Sequence, residues 1–171
     1  MGRPELAPHL ERISSLAREM QTHVPITSMG TSDFRADLAG LLVVTIVASY
    51  ESCVKETLIN FSSKQNIKFS EYVGRRYDKL NSKIAVNDLC RYCNDFQPPS
   101  RAKFNAYRKR RKEKISSLLG QDIEKKYEQI LDWRHDFAHK ALRNTTIEEA
   151  IEFHRYSKHI IFAFYDSFHL P

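Results

Sequence analysis

The stretch Leu38-Ala39-Gly40-Leu41-Leu42-Val43-Val44-Thr45-Ile46-Val47-Ala48 decides the fold class of this chain. It is apolar on every side of a helix, and such a helix is buried in the centre of a bundle or at a subunit interface. Its β-branched residues also suit a strand, but the long polar continuation from Tyr50 to Asn60 favours a helix. We therefore expect a central helix that begins at Ser32 or Asp33 and reaches about Lys64.

The rest of the chain fits the same class. Its 171 residues suit one domain, and only 5 Gly and 6 Pro interrupt it. Helical spacing of apolar residues predicts further helices at about residues 4–23, 81–96, 101–119, 121–140 and from a capping box at 144–149 to about 169, with a short helical turn at 69–74. The sequence thus predicts an all-α bundle of about five to six helices. Residues 1–30 form the first helix and a connector, and residues 31–171 form a single globular unit.

Charge and cysteine content limit the partners and the compartment. A net charge of +6 and a pI of about 9.2 allow a polyanionic partner. The three cysteines Cys53, Cys90 and Cys93 argue for a reducing compartment, and a lone Cys-x-x-Cys lacks the second ligand pair of a zinc site. The chain starts without a signal peptide, and the run from Leu38 to Ala48 is too short to span a bilayer. We expect a soluble, cytoplasmic protein without a metal, a cofactor or a membrane partner.

The candidate chemistry lies in Leu131-Asp132-Trp133-Arg134-His135-Asp136-Phe137-Ala138-His139-Lys140. Arg134 offers a planar fork of donors for a phosphate, and His139 moves protons near neutral pH. These are two parts of phosphodiester cleavage that need no metal. Five residues turn a regular helix by a net of about 140°, so the two side chains converge only if the helix frays or a second copy lies alongside. The alternative is structural: Arg134 pairs with a nearby acid, and His139 interacts with the helix dipole.

Spacing alone does not identify this motif. His135 and His139 share a face, but no Glu lies between them as in a zinc-binding His-Glu-x-x-His helix. A second Arg-x4-His match, Arg18 to His23, runs toward Pro25 and a Ser/Thr/Gly stretch, and we interpret it as a coincidence.

Two further groups are polar or basic. Glu51 and Lys55 follow the apolar run at i and i+4; they form either an ordinary helix ion pair or part of the Arg/His site. A basic run is either a solvated helix face or an RNA-binding surface in which Phe104 and Tyr107 stack on bases. Its members are Lys103, Arg108, Lys109, Arg110, Arg111, Lys112 and Lys114.

Three stretches in this order resemble the HEPN-domain ribonucleases, in particular the RiboL-PSP-like branch. Residues 48–55, with Glu51 and Lys55, resemble a Tyr-x-x-Trp-Glu-x-x-x-Lys type pattern, although Tyr50 replaces its tryptophan. Residues 133–139 resemble the catalytic Arg-His/Asn/Asp-x3-His motif, although Lys140 replaces a glycine often found after it. Residues 145–150 resemble the cap of the following helix.

The resemblance implies a HEPN-like bundle that forms a homodimer through the helices bearing the motif. It implies a metal-independent endoribonuclease in which the ribose 2′-hydroxyl attacks the adjacent phosphate. Arg134 and His139 would be catalytic, His135 and Glu51 would orient them, and Lys55 and the basic run would contact RNA. The family's settings imply a toxin or phage-defence effector with an antitoxin or regulatory protein as a partner. Two alternatives stay open: a non-catalytic HEPN-like module that binds RNA or a protein, and a DNA-binding helical protein.

Overall fold

A computed structural model describes residues 3–27, 32–78, 80 and 83–169, and within these ranges every regular element is an α-helix. The seven helices are α1 (Ala7–His23), α2 (Ser32–Gln65), α3 (Ile67–Arg76), α4 (Val86–Phe96), α5 (Pro98–Leu119), α6 (Ile123–Lys140) and α7 (Ile147–His169). The predicted all-α class is confirmed, and the helix count exceeds the predicted five to six.

Helix α2 forms the centre of the bundle, as its apolar run predicts. It packs against α1, α3, α6 and α7. Leu42, Val43 and Ile46 are fully buried. Two contacts show that helices α2 and α6 run antiparallel. Gly40 lies against Phe137 near one end, and the Tyr50 ring stacks on Tyr127 further along, with centroids 5.8 Å apart. This packing carries the last turns of α6 to the bundle surface beside α2.

The structure corrects four predicted helix starts, of which the first is that of α1, predicted from about residue 4 and observed from Ala7. Helix α3 is a full ten-residue helix and not a short turn, because the Asn66 side chain accepts hydrogen bonds from two backbone amides and caps it. Helix α4 begins at Val86 and not near residue 81; the Ile84 carbonyl before it accepts the Tyr127 hydroxyl at 2.7 Å. Helix α5 begins at Pro98 after an extended Gln97, because proline suits the first helical turn.

Of the predicted capping box before the last helix, the structure contains the side-chain cap by Thr146. The Glu149 amide donates to the Thr146 hydroxyl at 3.1 Å, and the Thr145 hydroxyl donates to the Glu149 carboxylate at 3.0 Å.

The predicted connector at 27–32 lies largely outside the described residues, as does the boundary between residues 30 and 31. Ile13, Ala17 and Met20 of α1 are buried in the same core as α2.

Two buried polar groups tie the helices together. The carboxylate of Asp166 on α7 accepts a bidentate pair from Arg3 at 2.9 and 2.7 Å and a third bond from Arg111 of α5 at 2.6 Å. The Tyr50 hydroxyl lies 2.9 Å from Nδ1 of His154 and 2.7 Å from the Ser157 hydroxyl. Both groups satisfy side chains that would otherwise be costly to bury.

Helix α2 is long and apolar enough to cross a membrane by length and composition, over an 18-residue window with a mean hydropathy of 1.5. The apolar run from Leu38 to Ala48 is therefore part of a longer segment than its eleven residues suggest. Because 56% of the window is buried inside the bundle, the helix has the environment of a core helix. The core helices of soluble proteins pass the same test, so composition is weak evidence for a membrane span.

Candidate active site

Helix α6 ends in a defined turn directly after His139 and Lys140. Ala141 adopts a left-handed conformation with φ 51°, and its amide donates to the Phe137 carbonyl at 3.2 Å. The Asp136 carboxylate accepts from Lys140 at 2.8 Å and from Asn144 at 3.1 Å. The bond from Lys140 is the largest influence that lowers the pKa of the Asp136 carboxyl. Asp136 thus fixes the end of the helix to the connector that follows.

Phe137 sets how closely this end of α6 approaches α2. A Cβ atom placed on Gly40 would lie 2.1 Å from two carbons of the Phe137 ring, so only glycine fits there without a shift. Nearby, Arg143 donates both arms of its guanidinium to Asp37 at 2.7 and 2.8 Å. An isolated glycine in an apolar helix signals such close packing, but sequence analysis missed both contacts.

Arg134 and His135 line an open groove of about 330 Å³ between α6, α2 and the start of α4. The other lining residues are Val47, Ala85, Glu128, Leu131 and Asp132. Arg134 is half-buried and makes no ion pair with any described residue, so the alternative in which it pairs with Asp132 or a neighbouring acid is not found in the described part of the bundle. Its guanidinium is available to an anion in the groove.

His139 lies beside the groove and not in its wall. Its imidazole is exposed, and its ring centroid lies 4.8 Å from that of His135. Because α6 is helical through Lys140, Arg134 and His139 remain about 140° apart around the axis and about 7.5 Å apart along it. Within one chain, Arg134 and His135 line the same groove, and the rings of His135 and His139 lie close together. Arg134 and His139 nevertheless lie on different faces of α6.

Glu51 and Lys55 do not join this group through direct contacts. Glu51 lies one helical turn beyond the groove residue Val47, and no hydrogen bond between described residues joins it to Arg134 or to either histidine. The Lys55 ammonium donates to the Asp78 carbonyl at 3.0 Å and to its carboxylate at 2.8 Å. Lys55 thereby anchors the segment that follows α3.

The basic run on α5 is largely paired within the bundle. Arg108 lies 3.1 Å from Glu124, Lys112 lies 2.6 Å from the same carboxylate, and Arg111 bonds Asp166. Lys109, Arg110 and Lys114 remain exposed, and the Lys109 ammonium lies 3.9 Å from the Glu113 carboxylate. Glu124 is ten residues before Arg134, or about 15 Å along α6. The run thus lies at a distance from the motif, and its role as an RNA contact stays a prediction.

Comparison with known proteins identifies one family. The family model described as RiboL-PSP-HEPN matches residues 9–169, nearly the whole chain and all seven helices. No curated protein and no solved structure shows a significant match. The matched range includes α1 as well as the motif at the end of α6.

Proposed function

Because this chain belongs to the RiboL-PSP-HEPN family, we propose that it is a metal-independent endoribonuclease whose reacting groups are Arg134 and His139. The observation that carries the proposal is the environment of the Arg134 side chain. Its guanidinium has no carboxylate partner among the described residues, and it lines a groove together with His135, whose ring lies 4.8 Å from that of the exposed His139. An unpaired arginine beside two accessible imidazoles suits a phosphodiester.

The chemistry follows from these groups. The ribose 2′-oxygen attacks the adjacent phosphorus while an imidazole takes its proton, and the bond from phosphorus to the 5′-oxygen breaks. A proton returned to that oxygen leaves a 5′-hydroxyl and a 2′,3′-cyclic phosphate. His139 transfers the proton, and Arg134 stabilises the charge that develops on the phosphoryl oxygens. His135 positions the His139 ring, and Glu51 acts on the site through its charge.

A second copy of the chain completes this site in our proposal. Arg134 and His139 of one copy diverge, so we pair Arg134 of one copy with His139 of the other. An outward stripe on α2 supports such a homodimer: Phe34 is 55% exposed, Leu41 is 50% exposed, and Ala48 continues the row. Large exposed apolar residues in one row are typical of an interface.

The test is RNA cleavage in the presence of EDTA. The purified chain is incubated with total tRNA and a structured mRNA beside Arg134→Ala and His139→Ala. The chain offers matched controls, Arg18→Ala and His23→Ala, which alter the coincidental Arg-x4-His on α1. Cyclic-phosphate ends from the wild type and both controls, with a loss of about 10²-fold or more in each motif variant, support the proposal.

Folded protein that cleaves neither RNA would favour the non-catalytic HEPN module that binds RNA or a protein. Cleavage that survives in His139→Ala would remove His139 from the mechanism. Binding to duplex DNA with a steep salt dependence and no cleavage would favour the DNA-binding alternative.

For the biological setting we propose a cytoplasmic toxin or phage-defence effector that is held inactive by an antitoxin protein. The support is the family and a site that lies open on the bundle surface. Induced expression in bacteria should arrest growth, and the His139→Ala chain should not. Equal growth with both chains would contradict this role.

A further inference from the structure

Helix α3 presents a face that the proposed mechanism does not use. It buries Val73 against the bundle, with Ser70 and Tyr77 half-buried on the same side. On the opposite side, Lys68, Tyr72 and Arg75 lie within about 60° of one another around the axis. All three are exposed, and Arg76 is exposed at the edge of the same surface. We call these four residues the α3 face.

The cations of the α3 face are not neutralised within the chain. Lys68, Arg75 and Arg76 make no ion pair with any other described residue, whereas Arg108 and Lys112 of α5 share Glu124. Glu71 is the one acidic residue of α3, and it lies at the margin of the face. The α5 run is therefore mostly paired with carboxylates inside the bundle, whereas the cations of the α3 face are available to bind a polyanion.

An exposed aromatic ring lies among these cations. Tyr72 is 56% exposed, although a buried position would stabilise its ring. Its neighbours at i−4, i+3 and i+4 are Lys68, Arg75 and Arg76. A ring with an open surface between cations is the arrangement that stacks an unpaired base while its phosphates are bound alongside. Duplex RNA does not offer a free base face at such a position.

The α3 face connects to the groove through the segment that follows it. Lys55 holds Asp78 directly after α3, and Ala85 at the other end of this segment lines the groove with Arg134. The exposed Lys83 lies two residues before Ala85. On α2, Lys55 and Val47 are eight residues apart, or about 12 Å. An extended oligonucleotide at the C-terminal end of α3 therefore has about 12 Å of α2 to follow before it meets the groove.

We infer that the α3 face is a single-stranded RNA contact that guides the substrate into the groove at Arg134. Arg75, Arg76 and Lys68 bind phosphates, and Tyr72 stacks on one base. Lys83 continues the cationic path. This inference extends the proposed ribonuclease function to the strand that enters the site, and it selects unpaired RNA over duplex.

The experiment measures binding apart from cleavage. Every protein carries His139→Ala, and the probe is a fluorescent oligouridylate of about twelve nucleotides, titrated at several salt concentrations. Arg75→Gln/Arg76→Gln should weaken binding and reduce the slope of log K against log salt by about 1.4, because two phosphate contacts are lost. The matched control is Arg12→Gln/Arg18→Gln on α1, which removes the same charge from two exposed arginines. It should change the affinity by less than about twofold, since surface charge away from a contact acts weakly across the Debye length.

Two further variants test the ring. Tyr72→Ala should weaken binding by about tenfold, and Tyr72→Phe should bind as the parent does, because stacking needs the ring and not the hydroxyl. Equal losses in the α1 control and the α3 variant, or no binding of the oligouridylate at all, would overturn the inference. Stronger binding of an RNA duplex would overturn it as well. If the wild type fails to cleave any RNA while the α3 variants still lose binding, the ribonuclease proposal falls and the α3 contact stands.

Discussion

Replacing Gly40 with alanine tests how the site is positioned. In a helix interior this change alone stabilises by about 1 kcal/mol through helix propensity. Here the new Cβ would lie 2.1 Å from two Phe137 ring carbons and 2.6 Å from a third. Such overpacking costs about 1–3 kcal/mol. We therefore expect a net destabilisation of up to about 2 kcal/mol, with reduced cleavage because Phe137 lies between Arg134 and His139.

The assay is urea unfolding at one protein concentration, followed through the fluorescence of the single tryptophan, Trp133. Combining Gly40→Ala with Phe137→Ala should reverse the sign. Without the ring, the alanine stabilises, and the double-mutant cycle should give a coupling of about 1–3 kcal/mol. Gly74→Ala on α3 is the matched control, since nothing lies within 4 Å of its added Cβ, and it should stabilise by about 1 kcal/mol. Additive effects of Gly40→Ala and Phe137→Ala would refute the proposed contact.

Three further predictions concern stability, and each is measured by urea unfolding. Ala141→Gly should stabilise by about 1 kcal/mol, because φ at this residue is 51° and glycine adopts that conformation without strain; a loss of stability would contradict the described turn. Burial lowers the pKa of His154 from 6.5 to about 4, so the unfolded chain binds this proton first as the pH falls. His154 should therefore contribute about 3 kcal/mol to the loss of stability between pH 6.5 and 4, and His154→Gln should remove that contribution while His159, whose pKa burial also lowers to about 4, keeps its own; an unchanged slope would exclude a contribution from His154. Asp166→Ala should destabilise by about 3 kcal/mol or more, because it leaves Arg3 and Arg111 without their shared carboxylate; a change below about 1 kcal/mol would show that the group contributes little.

Helical periodicity predicts most of the fold because burial dominates it. The apolar run of α2 predicts its central position, and the Thr146 cap predicts the start of α7. Local chemistry at the helix starts is predicted less accurately. The Asn66 side chain caps α3 and lengthens it, and the prolines after the extended Gln97 let α5 begin at Pro98, earlier than predicted. The pattern of apolar residues carries no information about which polar side chain captures a backbone amide.

The sequence predicts the residues of the candidate site but not their surroundings, and the site itself stays a prediction. The family resemblance, together with the spacing, points to Arg134, His135 and His139, and helix geometry gives the angle between the outer two. Long-range contacts decide the rest. The pairing of Arg108 and Lys112 with Glu124 and the position of Lys55 against Asp78 depend on packing that sequence spacing does not encode. The role of the α5 run as an RNA contact stays a prediction.

Complementation between two inactive variants tests the site most directly. Arg134→Ala and His139→Ala chains are unfolded together, refolded as a mixture and assayed for RNA cleavage in EDTA. If the reacting pair combines Arg134 of one copy with His139 of the other, half of the dimers contain one intact site. The mixture should then recover about a quarter of the wild-type activity, while each variant refolded alone stays inactive. An inactive mixture beside a fully active refolded wild type would contradict a site shared between two copies.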